Sequence, residues 1–355
     1  MSKSICSFVC SFLVAVFIAL LPGQLRAQGA VTMPQQSPRA SVSQTIGVSD
    51  VTVTYHRPVV KGRVIWGGLL KYGKIWRAGA NENTTISFSE PVKVEGKDLP
   101  AGTYGLHMIP TEADWTIIFS KNHTSWGSFF YNESEDALRV TVKPQPAEFQ
   151  EWLAYQFDDL TNTSATLSLR WEKLQIPITL SFDTDAIVVT RFRTLAFRGS
   201  DGFSWQSYNQ AAAYCLRRGI NLDEALQWVN TSIAFNENFT NVSTKAAILE
   251  KLGRKDEAQK VREHAESIAG SEQDLNTLAY QYLNANKTKE AIELFKKNAK
   301  IHPNSGNVYD SLGEAYAKIG EKQLAIENYT KALALAQEND TRDRITDQLQ
   351  KLQAK

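Results

Sequence analysis

The stretch GNVYDSLGEAYAKIGEKQLAIENYTKALALAQ, residues 306–337, decides the architecture of the second half of the chain. Its apolar residues recur at three- and four-residue intervals, the period of a helix with one buried face. Gly320 breaks that period, so the stretch reads as two helices joined by a short turn. Gly313 in the first helix and Ala325 in the second are small, which lets paired helices approach closely, and Leu312, Tyr316 and Tyr329 fill the groove beside them.

The arrangement recurs upstream. Ala225, Ala258, Ala291 and Ala325 stand 33, 33 and 34 residues apart. Twelve residues before each is Ala213, Ala246, Ala279 or Gly313, and three residues after those come Leu216, Leu249, Tyr282 or Tyr316. Gly219, Gly253, Asn286 and Gly320 separate the two helices of each unit. In the last two units the match extends to Leu278 and Leu312, and to Phe295 and Tyr329; Pro303 closes the third unit, where the fourth has Gln337. Residues 205–340 thus resemble tetratricopeptide repeats, whose period is about 34 residues. The resemblance implies protein–protein contact through a helical groove. The second unit departs from the pattern, with Lys245 and Arg262 at apolar places, and is either degenerate or open. Ser271 with Asp274, and Asn221 with Glu224, look like capping boxes. Residues 341–355 read as a capping helix, with Ile345, Leu349 and Leu352 on one face.

Ahead of the repeats, residues 41–183 have strand character. Val51–Tyr55, Thr84–Phe88, Val92–Glu95, Gly102–Ile109, Trp115–Phe119, Leu138–Val142, Glu151–Phe157, Ala165–Trp171 and Ile176–Phe182 are short β-prone runs between turn signals. That spacing predicts an antiparallel β-sandwich or jelly-roll. Residues 184–204 read as a helical connector, with Val188, Phe192 and Leu195 at helical spacing. The expected fold is therefore multidomain, β followed by an α-helical solenoid.

The first 27 residues read as a secretory signal peptide: Lys3, an apolar run from Phe8 to Leu21, then Leu25-Arg26-Ala27 before Gln28. That run is short for a membrane span, so no span is expected after cleavage, although retention as an anchor stays open. Residues 28–40 are rich in Pro, Gln and Ser and read as a flexible leader. The expected location is periplasmic or extracellular. Cleavage would leave Cys215 as the only cysteine, in the Ala-rich run Ala211–Leu216, where it reads as a small buried hydrophobe. The formal net charge of +1 gives no reason to expect nucleic acid as partner.

No phosphate loop, nucleophile elbow, paired cysteine or His-Glu-x-x-His appears, and nothing calls for a cofactor. His56, His107 and His123 lack metal-binding spacing, although a sheet could bring two of them to Glu82 or Asp114. The unusual stretch is Tyr55 to Thr85, with three Arg, three Lys, two Trp and five Gly. Long basic-aromatic loops on a β scaffold are common binding sites. Arg57, Arg63 and Arg77 could clamp an anion. Lys61, Trp76, Asn81 and Glu82 complete the candidate set, and Trp66, Trp76 and Trp126 could stack on a sugar. Alternatively, the tryptophans plug one end of the sandwich and the arginines pair with acids.

The runs Tyr55-His56-Arg57-Pro58, Lys61-Gly62-Arg63, Trp76-Arg77-Ala78-Gly79-Ala80-Asn81-Glu82 and Ala101-Gly102-Thr103-Tyr104, with Trp115, resemble the domain of unknown function 2911 over about residues 38 to 183. That family occurs in exported proteins of Bacteroidetes-type bacteria, often ahead of helical repeats. The resemblance implies a sandwich-like exported domain without an assigned reaction. The expected function is an envelope scaffold: the array binds a protein or peptide, and the β domain an anionic or sugar ligand or a second partner. An enzyme with its site around Arg57, Arg63, Arg77, Asn81 and Glu82 is the alternative.

Overall fold

The computed structural model describes residues 33–354. The stretch read as a signal peptide and the start of the one read as a leader lie outside them. The chain divides into two compact units, one essentially of residues up to Ser181 and one from Phe182 onward.

Among the described residues the first unit holds ten strands: β1 (Arg39–Ile46), β2 (Ser49–His56), β3 (Thr85–Phe88), β4 (Val92–Val94), β5 (Lys97–Leu99), β6 (Gly102–Ile109), β7 (Trp115–Ser120), β8 (Asp136–Val142), β9 (Gln145–Asp158) and β10 (Ser164–Ser181). They form a six-stranded sheet, β1-β2-β3-β6-β7-β8, and a four-stranded sheet, β5-β4-β10-β9. The pairings from β2 through β8, and those of β4 with β5 and β10 and of β10 with β9, are antiparallel. Register follows burial: Val53 lies opposite Ile86, and Leu106 opposite Phe119.

Two expectations change here. Ala165–Trp171 and Ile176–Phe182 are parts of one strand, and the polar residues between them form a bulge. Glu172 takes a left-handed φ of 55°, and the register with β9 shifts on both sides of it. The first strand begins inside the stretch read as leader, because β1 alternates exposed with half-buried residues and carries only Ala40 and Val42 as apolar signal before the buried Ile46.

Residues from both sheets meet in a tryptophan cluster. Trp66 lies edge-on to Trp115 of β7 at 4.9 Å and to Trp171 of β10 at 5.7 Å, and Trp76 stacks on Trp171 at 6.0 Å. Such pairs add about 0.5–1.5 kcal/mol each beyond their buried area.

On β6, His107 points away from that core and is covered by the segment after β7. Its Nδ1 lies 2.9 Å from Ser128 Oγ, and its ring packs against Tyr131. Tyr131 donates to Asp136, which also accepts from Arg139. Burial pushes the His107 pKa down from 6.5 to about 4, against the opposing pull of Asp136.

The second unit opens with α1 (Thr184–Arg191), capped by Asp183. The connector is not one regular helix. A π-helical turn over Phe192–Ala196 shifts the phase, so Ile187 and Val189 are buried while Leu195 is 67% exposed. Four helix pairs follow: α2 (Trp205–Arg218) with α3 (Leu222–Phe235), α4 (Phe239–Lys251) with α5 (Lys255–Ile268), α6 (Glu272–Asn284) with α7 (Thr288–Ile301), and α8 (Gly306–Lys318) with α9 (Lys322–Leu335). The turn residues Gly219, Gly253, Asn286 and Gly320 all have left-handed φ, between 59° and 81°. A last helix, α10 (Asn339–Gln353), lays Ile345, Leu349 and Leu352 on the terminal core.

Ser271 and Asp274 form the expected reciprocal capping box. Asn221 does not cap: it is itself left-handed, and Glu224 pairs with Arg193 at 2.5 Å instead. A box not anticipated joins Asn238 and Asn241; buried Asn241 also donates to Ser232 Oγ and to the Asn236 carbonyl. In the first helix pair the buried residues are Ala212 and Cys215, one residue earlier than Ala213 and Leu216. Cys215 is thus fully buried as a packing residue.

Gly313 illustrates why the helices need small residues. A Cβ there would meet the Tyr329 ring at 3.0 Å. We expect Gly313→Val to lower stability by about 1–3 kcal/mol, overpacking outweighing the relief of glycine's backbone freedom. Thermal melts followed by circular dichroism will read it; an unchanged or raised Tm contradicts the packing.

His107 yields a pH dependence. Its folded pKa lies below its unfolded 6.5, so its contribution is complete above pH 6.5 and is lost as pH falls toward about 4. Urea unfolding of the full chain is expected to show the β unit losing up to about 3 kcal/mol across that window. An NMR titration placing the His107 midpoint near 6.5 contradicts this.

Candidate functional site

The basic-aromatic loop is pinned before it is functional. Trp76 exchanges two backbone hydrogen bonds with Met108 of β6, and its indole N–H donates to the Gly79 carbonyl at 2.9 Å. Ala78 is buried with a left-handed φ of 51°, an unfavourable conformation for a residue with a Cβ. Its carbonyl is held by Tyr155 Oη at 2.8 Å and Thr84 Oγ1 at 3.2 Å. Gly79 is forced by proximity: a Cβ there would lie 2.5 Å from Thr84 Oγ1. Asn81, also left-handed, donates to Gln35 Oε1 and the Ser37 carbonyl and ties the N-terminal segment to the loop.

This backbone sorts the candidate residues onto two concavities. Lys61, Arg63, Trp76, Arg77 and Asn81 line a pocket of about 460 Å³. Glu82 lines a wider cleft of about 800 Å³ with Arg39, His56 and His123. Arg57 lines neither; its Nε donates to the Leu153 carbonyl at 2.8 Å. A single cluster of Arg57, Arg63, Arg77, Asn81 and Glu82 therefore does not form.

In the pocket, Arg63 directs its Nε and a terminal nitrogen to the Val60 and Val59 carbonyls. Arg77 is different. Its Nε is buried with no partner, and Glu82 acts on it only through space. Burial pushes its pKa below the ordinary value. Lys61 has a left-handed φ of 47° and donates its backbone N–H to Glu151.

In the cleft, His56 Nε2 lies 3.2 Å from Glu82 Oε2. Burial lowers the His56 pKa, Glu82 opposes that, and Arg39 and Arg77 add to it. Its Nδ1 is buried and unpartnered. His56 and His123 share this cleft with Glu82, while His107 is engaged elsewhere with Ser128. Among the described residues no group of three or more His, Cys, Asp or Glu is placed to hold a metal ion.

Two of the three indoles, Trp66 and Trp76, do not offer an open stacking surface. Trp76 is only 8% exposed and one face is covered by Trp171; Trp66 is half-buried in the same cluster. Trp126 alone of the three stands out, at 51% exposed.

In the helical unit the second repeat is where the array opens. α3 lies along α4 and α7 along α8, but α5 and α6 approach much less. A cavity of about 390 Å³ lies there, lined by Ser243, Ala246 and Ala247 of α4 and by Arg262, Gln281 and Tyr282. Arg262, out of place in an apolar position, pairs with Glu250 at 2.6 Å across the helix pair. Along the first helices, Asn209, Ser243, Asn276 and Asp310 each stand three residues before the buried small residue, Ala212, Ala246, Ala279 or Gly313. Asn209, Asn276 and Asp310 each leave one side-chain oxygen buried without a partner. The sequence carried this register, but the one-residue phase shift in the first unit hid it.

No curated protein matches the chain. Among solved structures, a thermophilic tetratricopeptide protein of Thermus thermophilus, TTC0263, is 18% identical, covers 46% of this chain and 89% of its own, and has a TM-score of 0.34. YrrB, described as a tetratricopeptide protein with an unusual peptide-binding site, is 15% identical over 46% of this chain and 83% of its own, with a TM-score of 0.31. MamA from Desulfovibrio magneticus RS-1 is 19% identical over 42% of this chain and 93% of its own, with a TM-score of 0.30. Residues 215–338 match the family model of the Psidin N-terminal tetratricopeptide repeat region, and residues 37–180 match that of the protein of unknown function DUF2911. The chain therefore joins a domain of the unknown-function 2911 type to a tetratricopeptide-type array.

Proposed function

We propose that this protein is an exported scaffold of the cell envelope whose repeat array holds an extended segment of a partner protein along its first helices, while its β domain holds a small ligand. The export element rests on the apolar segment Phe8–Leu21 and its flanks. Among the described residues no helix is long and apolar enough to cross a membrane.

The observation that carries the partner reading is the row Asn209, Ser243, Asn276 and Asp310, in which Asn209, Asn276 and Asp310 each hold one unpartnered buried oxygen, the other oxygen of Asp310 pairing with Arg344 of α10 at 2.6 Å. An orphaned buried acceptor costs about 1–3 kcal/mol, and backbone N–H groups of a bound segment would relieve that cost. Beside Ser243 the opening between the second and third units has room for one bulky side chain of the same segment. Alanines there keep it open, and Arg262, Glu250 and Tyr282 give it a polar rim.

The test uses the full chain with a photo-cross-linker at exposed Gln273 of α6, in extract of the native envelope. Ala247→Trp, which fills the opening, and Asn276→Ala, which removes one acceptor, should each cut capture of a defined partner band by about tenfold, at unchanged helical content. A cross-linker at Lys297, on the second-helix side, should capture little. Equal capture by both variants and the parent contradicts the reading.

A further inference from the structure

The β-domain pocket has a composition that pairing within the chain explains only in part, through the bonds of Arg63 to the Val59 and Val60 carbonyls. It is lined by Lys61, Arg63 and Arg77, and no Asp or Glu lines it. Three cationic residues lining one concavity without an acid among the described residues favour an anion there. One of them, Arg77, has its Nε buried and unpartnered. Trp171, 1% exposed, also lines the pocket, and its indole N–H is buried with no acceptor. Orphaned donors of this kind are rare in folded proteins and cost free energy until an acceptor arrives.

The remaining wall is apolar. Pro58, Leu69, Leu70 and the ring of Trp76 face the same space. A free phosphate would leave that wall idle, and a neutral apolar molecule would leave the cations and the indole N–H unanswered. A volume of about 460 Å³ lies within the usual range for small-molecule sites.

We propose that this pocket binds a small amphipathic carboxylate, its carboxylate held by Arg77 and Lys61 with the Trp171 indole N–H donating to it, and its apolar body against Leu69, Leu70 and Trp76. Arg77 suits the role because its planar fork presents paired donors to a carboxylate. Arg63 contributes charge while its own donors hold the Val59 and Val60 carbonyls. Asn81 shapes the rim by fixing Ser37, which also lines the pocket. The inference deepens the ligand-binding half of the scaffold reading and rests on it only there. The partner-binding half is independent.

The test is calorimetric titration of the full chain with octanoate, 1-octanol and inorganic phosphate, on the parent, Arg77→Met and Lys61→Gln. Octanoate is expected to bind the parent at one site. Arg77→Met should weaken it by at least about tenfold, the loss typical of a charged hydrogen-bond partner, and Lys61→Gln by a smaller factor. Octanol and phosphate should each bind at least about tenfold more weakly than octanoate. Thermal melts confirm that each variant is folded; if Arg77→Met does not fold, Lys61→Gln and the ligand series decide. Ala247→Trp should bind octanoate like the parent, which separates this result from failure of the array reading. No octanoate binding to the parent, binding unaffected in a folded Arg77→Met, or phosphate or octanol binding as tightly as octanoate overturns the proposal.

Discussion

The stacking of Trp76 on Trp171 is the contact on which the β domain's surface depends. It fastens a loop residue to a strand of the four-stranded sheet, while the Trp76 backbone pairs with Met108 in the six-stranded one. The loop cannot slide once both are made. Beyond Trp76 the chain must then turn sharply, and it accepts a left-handed Ala78 to do so. Tyr155 and Thr84 hold that strained carbonyl in place. Strain of this sort persists where surrounding structure over-determines it, and such places are often functional. Here the result is that Arg77 lines a pocket while its Nε stays buried and unanswered.

The helical unit rests on a different constraint, the distance between paired helices. Gly313 against Tyr329, and the alanines at matching places, set how near two backbones come. Where the sequence keeps those residues and the large ones beside them, as in the last two units, one continuous core forms and α10 closes it. Where Arg262 replaces an apolar residue, its pairing with Glu250 takes the place of core packing, and the array opens. A polar substitution that costs packing thus also makes a cavity.

Much of this was legible in the sequence. The period of the alanines and the turn residues gave the helix pairs, because helix crossing admits few side chains at those two places. β-Branched alternation gave most strands. The bulge at Glu172 was not legible, since polar residues in a β stretch look like a turn whether the strand ends or merely kinks. Nor was the phase shift at Ala212 and Cys215, which one residue of slippage in an alanine-rich run conceals. The basic loop could be singled out by composition, but its division could not. That Arg77 and Glu82 serve separate concavities, and that Trp171, almost a hundred residues later, belongs to the pocket, are consequences of tertiary packing. Trp76 looked like a binding surface and is instead the support beneath one.

The central claim for the β domain is that the Trp171 indole N–H is a donor waiting for an acidic ligand. The most direct measurement is the indole ¹H–¹⁵N spectrum of the full chain, with the Trp171 signal assigned by substitution to Phe. On addition of octanoate, that signal should move downfield and its solvent exchange should slow, as a charged hydrogen bond forms. A Trp171 signal that stays in place while octanoate binds would contradict the account.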